Sequence, residues 1–266
     1  MTSVLITGGG TGIGAAVARL LAGDGWQVAI LGRRAGVLQA VAAETGAIDV
    51  VCDVSEADDV SRAVALVTER FGGLDGLVLN AGVMAPGGVS DLSADDWTAM
   101  LAVNLTGPFL VAKAALPFLL ESGHGRVVSV ASVAALRAAA DMGGYAATKA
   151  GLAMLTQSLA VDHAGAGLRA NVVCPGWTIT EMADSEMAEF GGSRGLSVAE
   201  AYAEVTALVP ARRAGLADEV AAAVGWLLSD AASYVNGAVI PVDGGSTVVD
   251  VGTVPFDFLI TQRGSP

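Results

Sequence analysis

Seven short apolar runs recur along the chain: Val4–Thr7, Gln27–Leu31, Ile48–Cys52, Gly76–Leu79, Arg126–Ala131, Arg169–Val173 and Ala238–Pro241. Six longer segments separate them, with apolar positions spaced three and four apart: Gly12–Ala22, Val37–Glu44, Ala57–Phe71, Ala94–Leu120, Tyr145–Ala164 and Ala217–Ser229. The first pattern predicts buried strands and the second predicts helices with one apolar face. Strict alternation of the two predicts an α/β fold, a parallel sheet with right-handed crossovers and helices on both faces. The rhythm breaks at 183–210, which carries Gly191-Gly192, scattered acids and short helical stretches. Its place before the last helix predicts an insertion over the site, a lid. A tail, 247–266, follows the glycines Gly244-Gly245 and is still apolar at Val254, Phe256, Phe258, Leu259 and Ile260.

Composition narrows the choices. Hydrophobic residues make up 53% of 266 positions and charged residues 15%, so one large domain with a sizeable core is expected over 1–246. A net charge of -13 disfavours nucleic acid and anionic membrane as partners. Cys52 and Cys174 lie in apolar runs without metal-ligand spacing, so buried free thiols are expected and no metal. Free thiols suit a reducing compartment. Residues 1–18 carry five glycines and no basic stretch before an apolar core, which argues against a signal peptide or a membrane span there. The reading is a cytoplasmic protein.

The first run leads directly into Thr7-Gly8-Gly9-Gly10-Thr11-Gly12-Ile13-Gly14, and a helical pattern follows. A turn from a strand into a helix N-terminus presents free N–H groups and the positive end of the helix to a phosphate. Side chains there would block the approach of a pyrophosphate. With the strand before it and the helix after it, this turn predicts a dinucleotide-binding Rossmann fold. The second strand ends in Leu31-Gly32-Arg33-Arg34, where an acid would hydrogen-bond the ribose of NAD. Two guanidinium groups match a 2′-phosphate instead, so NADP(H) is favoured, with NAD(H) the other reading. Asp53, followed by Val54 at the end of the third strand, is placed to accept from the adenine amino group.

Tyr145-Ala146-Ala147-Thr148-Lys149 puts a phenol and an ammonium on one helical face, one turn apart. An ammonium favours the phenolate, so such a tyrosine can act as acid or base toward an alcohol or carbonyl. Ser132 closes the fifth strand, where its hydroxyl can bind the substrate oxygen. Asn104, an amide amid apolar residues, could hold a water that relays protons from Lys149.

In order and spacing these stretches, together with Asn80-Ala81-Gly82, Pro175-Gly176 and Val242-Asp243-Gly244-Gly245, resemble the classical short-chain dehydrogenase/reductase family over about residues 3–246. The resemblance implies a catalytic tetrad of Asn104, Ser132, Tyr145 and Lys149. It implies that Asn80, Ala81 and Gly82 pack on the cofactor, and that Pro175, Gly176, Thr178 and Thr180 hold the nicotinamide carboxamide. Tyr145 and Lys149 would also touch the cofactor. Two features depart from the family's pattern. Thr11 stands where many NADP-using members have a basic residue, and the tail is longer than is typical.

The expected reaction is hydride transfer between a ketone and a secondary alcohol, with Tyr145 as acid/base. A medium-sized apolar or 3-oxo ketone is the first substrate reading; an NAD-dependent secondary-alcohol or hydroxysteroid dehydrogenase is the second. A dinucleotide-binding regulator without catalysis would have no need of Tyr145 and Lys149. Small residues at Val133–Ala135 and Ala138–Ala140 suggest a roomy apolar wall, with Arg137, Met142 and Trp177 around it. Helices apolar on all sides, Ala94–Leu120 above all, must bury their outer faces as well. Family likeness makes that a homotetramer with two-fold symmetry.

Overall fold

The computed structural model describes residues 2–250 and 252–254. Its strands and helices follow in the order β1 (Ser3–Thr7), α1 (Gly12–Gly23), β2 (Gln27–Gly32), α2 (Ala35–Thr45), β3 (Ile48–Val51), α3 (Ala57–Phe71), β4 (Gly76–Leu79), α4 (Ala94–Leu101), α5 (Gly107–Glu121), β5 (Arg126–Val130) and α6 (Gly143–His163). The second half adds β6 (Arg169–Pro175), β7 (Thr178–Ile179), α7 (Glu181–Gly192), α8 (Val198–Val205), β8 (Gly215–Leu216), α9 (Ala217–Leu228) and β9 (Val239–Val242). Seven strands form one parallel sheet in the order β3-β2-β1-β4-β5-β6-β9, and β7 pairs with β8 outside it.

Alternate residues of each strand feed two cores. Val4 and Ile6 of β1, Val28 and Ile30 of β2, and Val173 of β6 pack against α1, α2 and α9. Leu5, Leu31, Leu77 and Leu79 face the other way, onto α3 and α5, while Val172 and Cys174 lie beneath α6. The inner strands are therefore dry on both faces, which explains their mostly apolar residues, while the edge strand β3 leaves Asp49 and Val51 exposed. Each leucine so buried contributes about 1.5–3 kcal/mol. Chain order reverses between β1 and β4, and there the carboxyl ends of the strands leave a crevice.

Several boundaries differ from the sequence expectation. The helix expected over 94–120 is one helical run in three parts: α4, a π turn at Ala102–Thr106, and α5. This run, Ala94–Glu121, is long and apolar enough to cross a membrane by length and composition. In the fold, its Val111, Ala112, Ala115 and Leu119 pack into the core. Cys52 lies just past β3, and α6 starts two residues before Tyr145. Within 183–210, α7 and α8 pack together around Ala183, Met187, Ala201 and Tyr202. The Tyr202 hydroxyl donates to Asp184 at 2.9 Å, joining the two helices. Of the tail, Ser246–Val248 forms a 3₁₀ turn, while Phe256, Phe258, Leu259 and Ile260 lie outside the described residues.

Candidate active site

The crevice at the switch point holds a cavity of about 790 Å³, within the usual range for a small-molecule site. Its floor is the turn after β1. Thr7 ties that turn to the next strand, since its hydroxyl accepts from the N–H groups of Asn80 and Ala81, at 2.9 and 3.1 Å. Asn80 reaches back and donates to the carbonyls of Thr7 and Gly8, at 3.0 and 3.1 Å. Gly8 has φ +66°, and a Cβ on it would come within 2.9 Å of Asn80 Nδ2 and the Ala81 Cα. Thr11, at the N-cap of α1, makes no side-chain capping bond, so the helix N-terminus faces the cavity without an internal acceptor. A glycine-floored cradle ending on uncapped N–H groups fits a dinucleotide pyrophosphate. Gly8, Gly10, Thr11, Gly12 and Ile13 line the cavity. Gly14 lies beneath the turn instead, where a Cβ would meet the Gly8 carbonyl at 2.3 Å.

The four residues of the expected tetrad converge from three elements. Tyr145 and Lys149 project from the first turns of α6, and Lys149 Nζ sits 5.6 Å from the centre of the Tyr145 ring. The ammonium is buried and donates to the Val130 carbonyl at 3.0 Å. Ser132 follows β5 and caps a short 3₁₀ turn, accepting from Ala134 N–H at 3.2 Å. Asn104 lies in the π turn and is fully buried. Its Oδ1 accepts from Val83 N–H at 2.8 Å, and its Nδ2 donates to the Val83 carbonyl and to Thr148 Oγ1, at 2.8 and 3.1 Å. The Asn104 amide thus stitches the β4 exit to α6 and keeps no side-chain donor spare for a water. A Cβ at Gly82 would stand 3.3 Å from Lys149 Nζ and 3.5 Å from Asn104 Oδ1, so the glycine leaves room where these two meet.

Burial sets the charges. The Tyr145 phenol is pushed up to about 12, chiefly by desolvation, with the Ser132 hydrogen bond acting downward and the Glu186 charge acting upward. Desolvation lowers Lys149 to about 8. The lowering of the phenol by Lys149 that the sequence leads us to expect is not among the influences on it. The phenol stays neutral at physiological pH.

Beyond the turn, at the carboxyl ends of β2 and β3, Arg33, Arg34, Asp53 and Val54 line the cavity. Arg33 lies 3.8 Å from Asp53, whose Oδ1 accepts from the Ser55 amide and hydroxyl, at 3.0 and 2.6 Å. Arg34 is otherwise engaged: it makes two hydrogen bonds to Glu181, at 2.6 and 2.7 Å, and a third to Thr11 at 3.3 Å. At the far end Pro175, Gly176, Thr178 and Thr180 border the cavity. The Thr178 hydroxyl donates to the Gly176 carbonyl at 3.0 Å, and Thr180 caps α7 by accepting from Ala183 N–H at 3.3 Å.

Comparisons with known proteins agree with this geometry. A family model described as enoyl-(acyl carrier protein) reductase matches residues 8–247. Levodione reductase of Leifsonia aquatica is 37% identical over 253 residues, covering 92% of this chain and 93% of that protein. The chain belongs to the classical short-chain dehydrogenase/reductase family. The solved structure of levodione reductase superimposes with a TM-score of 0.89 at 36% identity, over 94% of this chain and 98% of the other. The 3-oxoacyl-[acyl-carrier-protein] reductase MabA of Mycobacterium tuberculosis is 38% identical over 245 residues, covering 91% and 92% of the two chains. An actinorhodin polyketide ketoreductase solved with NADPH has a TM-score of 0.88 at 34% identity, over 92% and 96%. As a short-chain dehydrogenase/reductase, the protein is an oxidoreductase acting on CH–OH groups and their carbonyls.

Three residues of this family member's site escaped the sequence reading. Thr148 was visible only as a spacer inside the Tyr145–Lys149 motif, yet it anchors Asn104. Glu181 meets Arg34 across 147 positions of chain, a distance at which no local pattern operates. Glu186 lies on α7 and borders the same cavity as Tyr145. It belonged to a stretch with no strong periodicity, so nothing local assigned it a face.

Proposed function

We propose that this short-chain dehydrogenase/reductase reduces a ketone to a secondary alcohol with NADPH, in the cytoplasm. One observation carries the reading: Tyr145, Lys149 and Ser132 border the same cavity as the glycine turn. Bound on that turn, the dinucleotide would supply a hydride at its nicotinamide ring. Ser132 would donate to the carbonyl oxygen and hold it beside Tyr145. The phenol, neutral because burial raises it, is in the form needed to hand a proton to the oxygen as negative charge develops there. Lys149 would hold ribose hydroxyls and supply positive charge as the phenol gives up its proton. The water that returns the proton would be held by backbone near Asn104, since the side-chain amide is committed to Val83 and Thr148. Asp53 would accept from adenine. Pro175, Gly176, Thr178 and Thr180 would hold the carboxamide, mostly through backbone, because the Thr178 and Thr180 hydroxyls already serve the chain. The helices α7 and α8 would close over the substrate as a lid.

NADP(H) rests on Arg33 and Arg34, and the NADPH in the solved actinorhodin ketoreductase lends it support. NAD(H) is the second reading, favoured by the capture of Arg34 by Glu181. A panel of medium-sized apolar and 3-oxo ketones, run with NADPH and NADH side by side, tests both. Faster oxidation of NADPH with any ketone supports the first reading. A clear preference for NADH moves the assignment to the second, and oxidation of neither cofactor refutes the enzymatic account. The assembly proposed is a homotetramer.

A further inference from the structure

The charged side chains around the substrate end of the cavity are nearly all spoken for. Arg213 makes two hydrogen bonds to Glu219, at 2.7 and 2.6 Å. Arg137 donates to the carbonyls of Leu136 and Thr247, at 2.8 and 3.2 Å. Asp243 accepts from the amides of Gly245 and Thr247 and from the Ser246 hydroxyl, at 2.9, 2.8 and 2.9 Å. Lys149 is held by Val130. Glu186 differs. It projects from α7 into the same cavity, is partly buried, and has no hydrogen bond or ion pair among the described residues. Its charge also reaches Tyr145 and disfavours the phenolate.

A carboxylate removed from most of its water and given no protein donor is a costly arrangement. The cavity it lines is largely apolar on this side, with Met142, Trp177, Met182 and Val209 among its residues, and of these only the Trp177 ring nitrogen could donate. That nitrogen is not bonded to it. A donor carried by a molecule that enters the cavity would complete it.

We infer that Glu186 selects the substrate: it accepts a hydrogen bond from a hydroxyl or amine that the ketone carries away from its carbonyl, and it repels ketones that carry an anion. The inference deepens the carbonyl-reductase reading and rests on it. It shifts the substrate class from plain apolar ketones to ketones with a second, donor-bearing end. Arg213 is paired with Glu219, and neither it nor Arg137 is among the groups that act on the Glu186 carboxyl, which burial and the Glu189 charge push up.

Four ketones on one ring test this: cyclohexanone, 4-hydroxycyclohexanone, 4-aminocyclohexanone and 4-oxocyclohexanecarboxylate. The wild type should show higher kcat/KM for the hydroxy and amino ketones than for cyclohexanone, and lowest for the carboxylate. Glu186→Leu should cut the advantage of both donor-bearing ketones over cyclohexanone by about tenfold, as expected for a lost hydrogen bond to a charged group. It should also raise kcat/KM for the carboxylate. Glu186→Gln keeps an acceptor without the charge, so it should retain part of the hydroxy preference while losing the amino preference. Turnover of cyclohexanone in each variant reports that fold and chemistry survive. Unchanged ratios in Glu186→Leu, with cyclohexanone still reduced, overturn the inference and leave the reductase reading standing. No turnover of any of the four by the wild type overturns both.

Discussion

Lys149 has lost nearly all contact with water, and the Val130 carbonyl is its hydrogen-bond acceptor. Desolvation pulls it from 10.5 to about 8, so the unfolded chain binds this proton more readily than the fold does between those values. Stability then rises with pH across that window, by about 3 kcal/mol for this group. The Tyr145 phenol acts with the opposite sign at higher pH: raised by burial from 10.0 to about 12, it keeps its proton in the fold while the unfolded chain loses it, so stability falls from pH 10 upward. Urea unfolding between pH 8 and pH 10 should therefore show a rising free energy in the wild type that Lys149→Met lacks. An equal slope in both proteins would mean that the ammonium is hydrated. The same residue would serve the chemistry through its charge, a conflict between stability and activity common in active sites. Tyr145→Phe tests the other half. It should keep dinucleotide binding, read by quenching of tryptophan fluorescence, and lose turnover by about 10²–10⁴-fold. Near-normal turnover would remove the phenol from the proton path. Both residues were legible in the sequence because the motif is local: four positions on a helix fix a shared face wherever that helix lies. Glu186 was not legible, since the face α7 turns to the cavity depends on its packing against α8, in particular on the Asp184–Tyr202 bond.

At the scale of elements, the strands could be read because a sheet covered on both faces demands apolar runs, and Val4–Ile6 of β1, Val28–Leu31 of β2 and Leu77–Leu79 of β4 supply them. The π turn at Ala102–Thr106 could not. One extra residue in a helical turn leaves no mark in the spacing of apolar positions, yet it sits where Asn104 must reach both Val83 and Thr148. The two-residue strands β7 and β8 were likewise too short to leave a pattern. The contact between α7 and the phosphate turn is of the same kind. Glu181 starts α7, Arg34 precedes α2, Thr11 precedes α1, and these three meet at one end of the cavity. Both terminal nitrogens of Arg34 are committed to Glu181, so a 2′-phosphate must compete with that carboxylate for them. The pair is exposed, so salt screens it readily. Glu181→Gln should therefore tighten NADPH binding several-fold while leaving NADH binding unchanged, as measured by calorimetric titration. A matched change for both cofactors would show that Arg34 does not read the phosphate.

For the whole molecule, the question is what covers the apolar surface that one chain leaves open. The sequence pointed to the helices Ala94–Leu120 and Tyr145–Ala164 as apolar on more than one side, and their inner faces are accounted for by the sheet. Their outer faces keep Trp97 on α4, Phe109 on α5, and Met154 and Val161 on α6, the last two 64% and 81% exposed. A second group lies elsewhere, with Trp226 on α9 and Tyr234 just beyond it. Separate apolar faces on one chain suit two different two-fold contacts, and two such contacts closing on each other make a tetramer. A net charge of -13 opposes assembly, so apolar burial must outweigh repulsion, and lower salt should loosen the assembly. Sedimentation equilibrium should give four times the 26.4 kDa chain mass for the wild type. If the proposed tetramer packs through α5 and α6, Met154→Asp together with Val161→Asp would put two carboxylates into that contact and should leave a dimer held by the other face. A tetramer surviving both substitutions would mean that Met154 and Val161 face solvent and that the second contact is made elsewhere than on this face of α6.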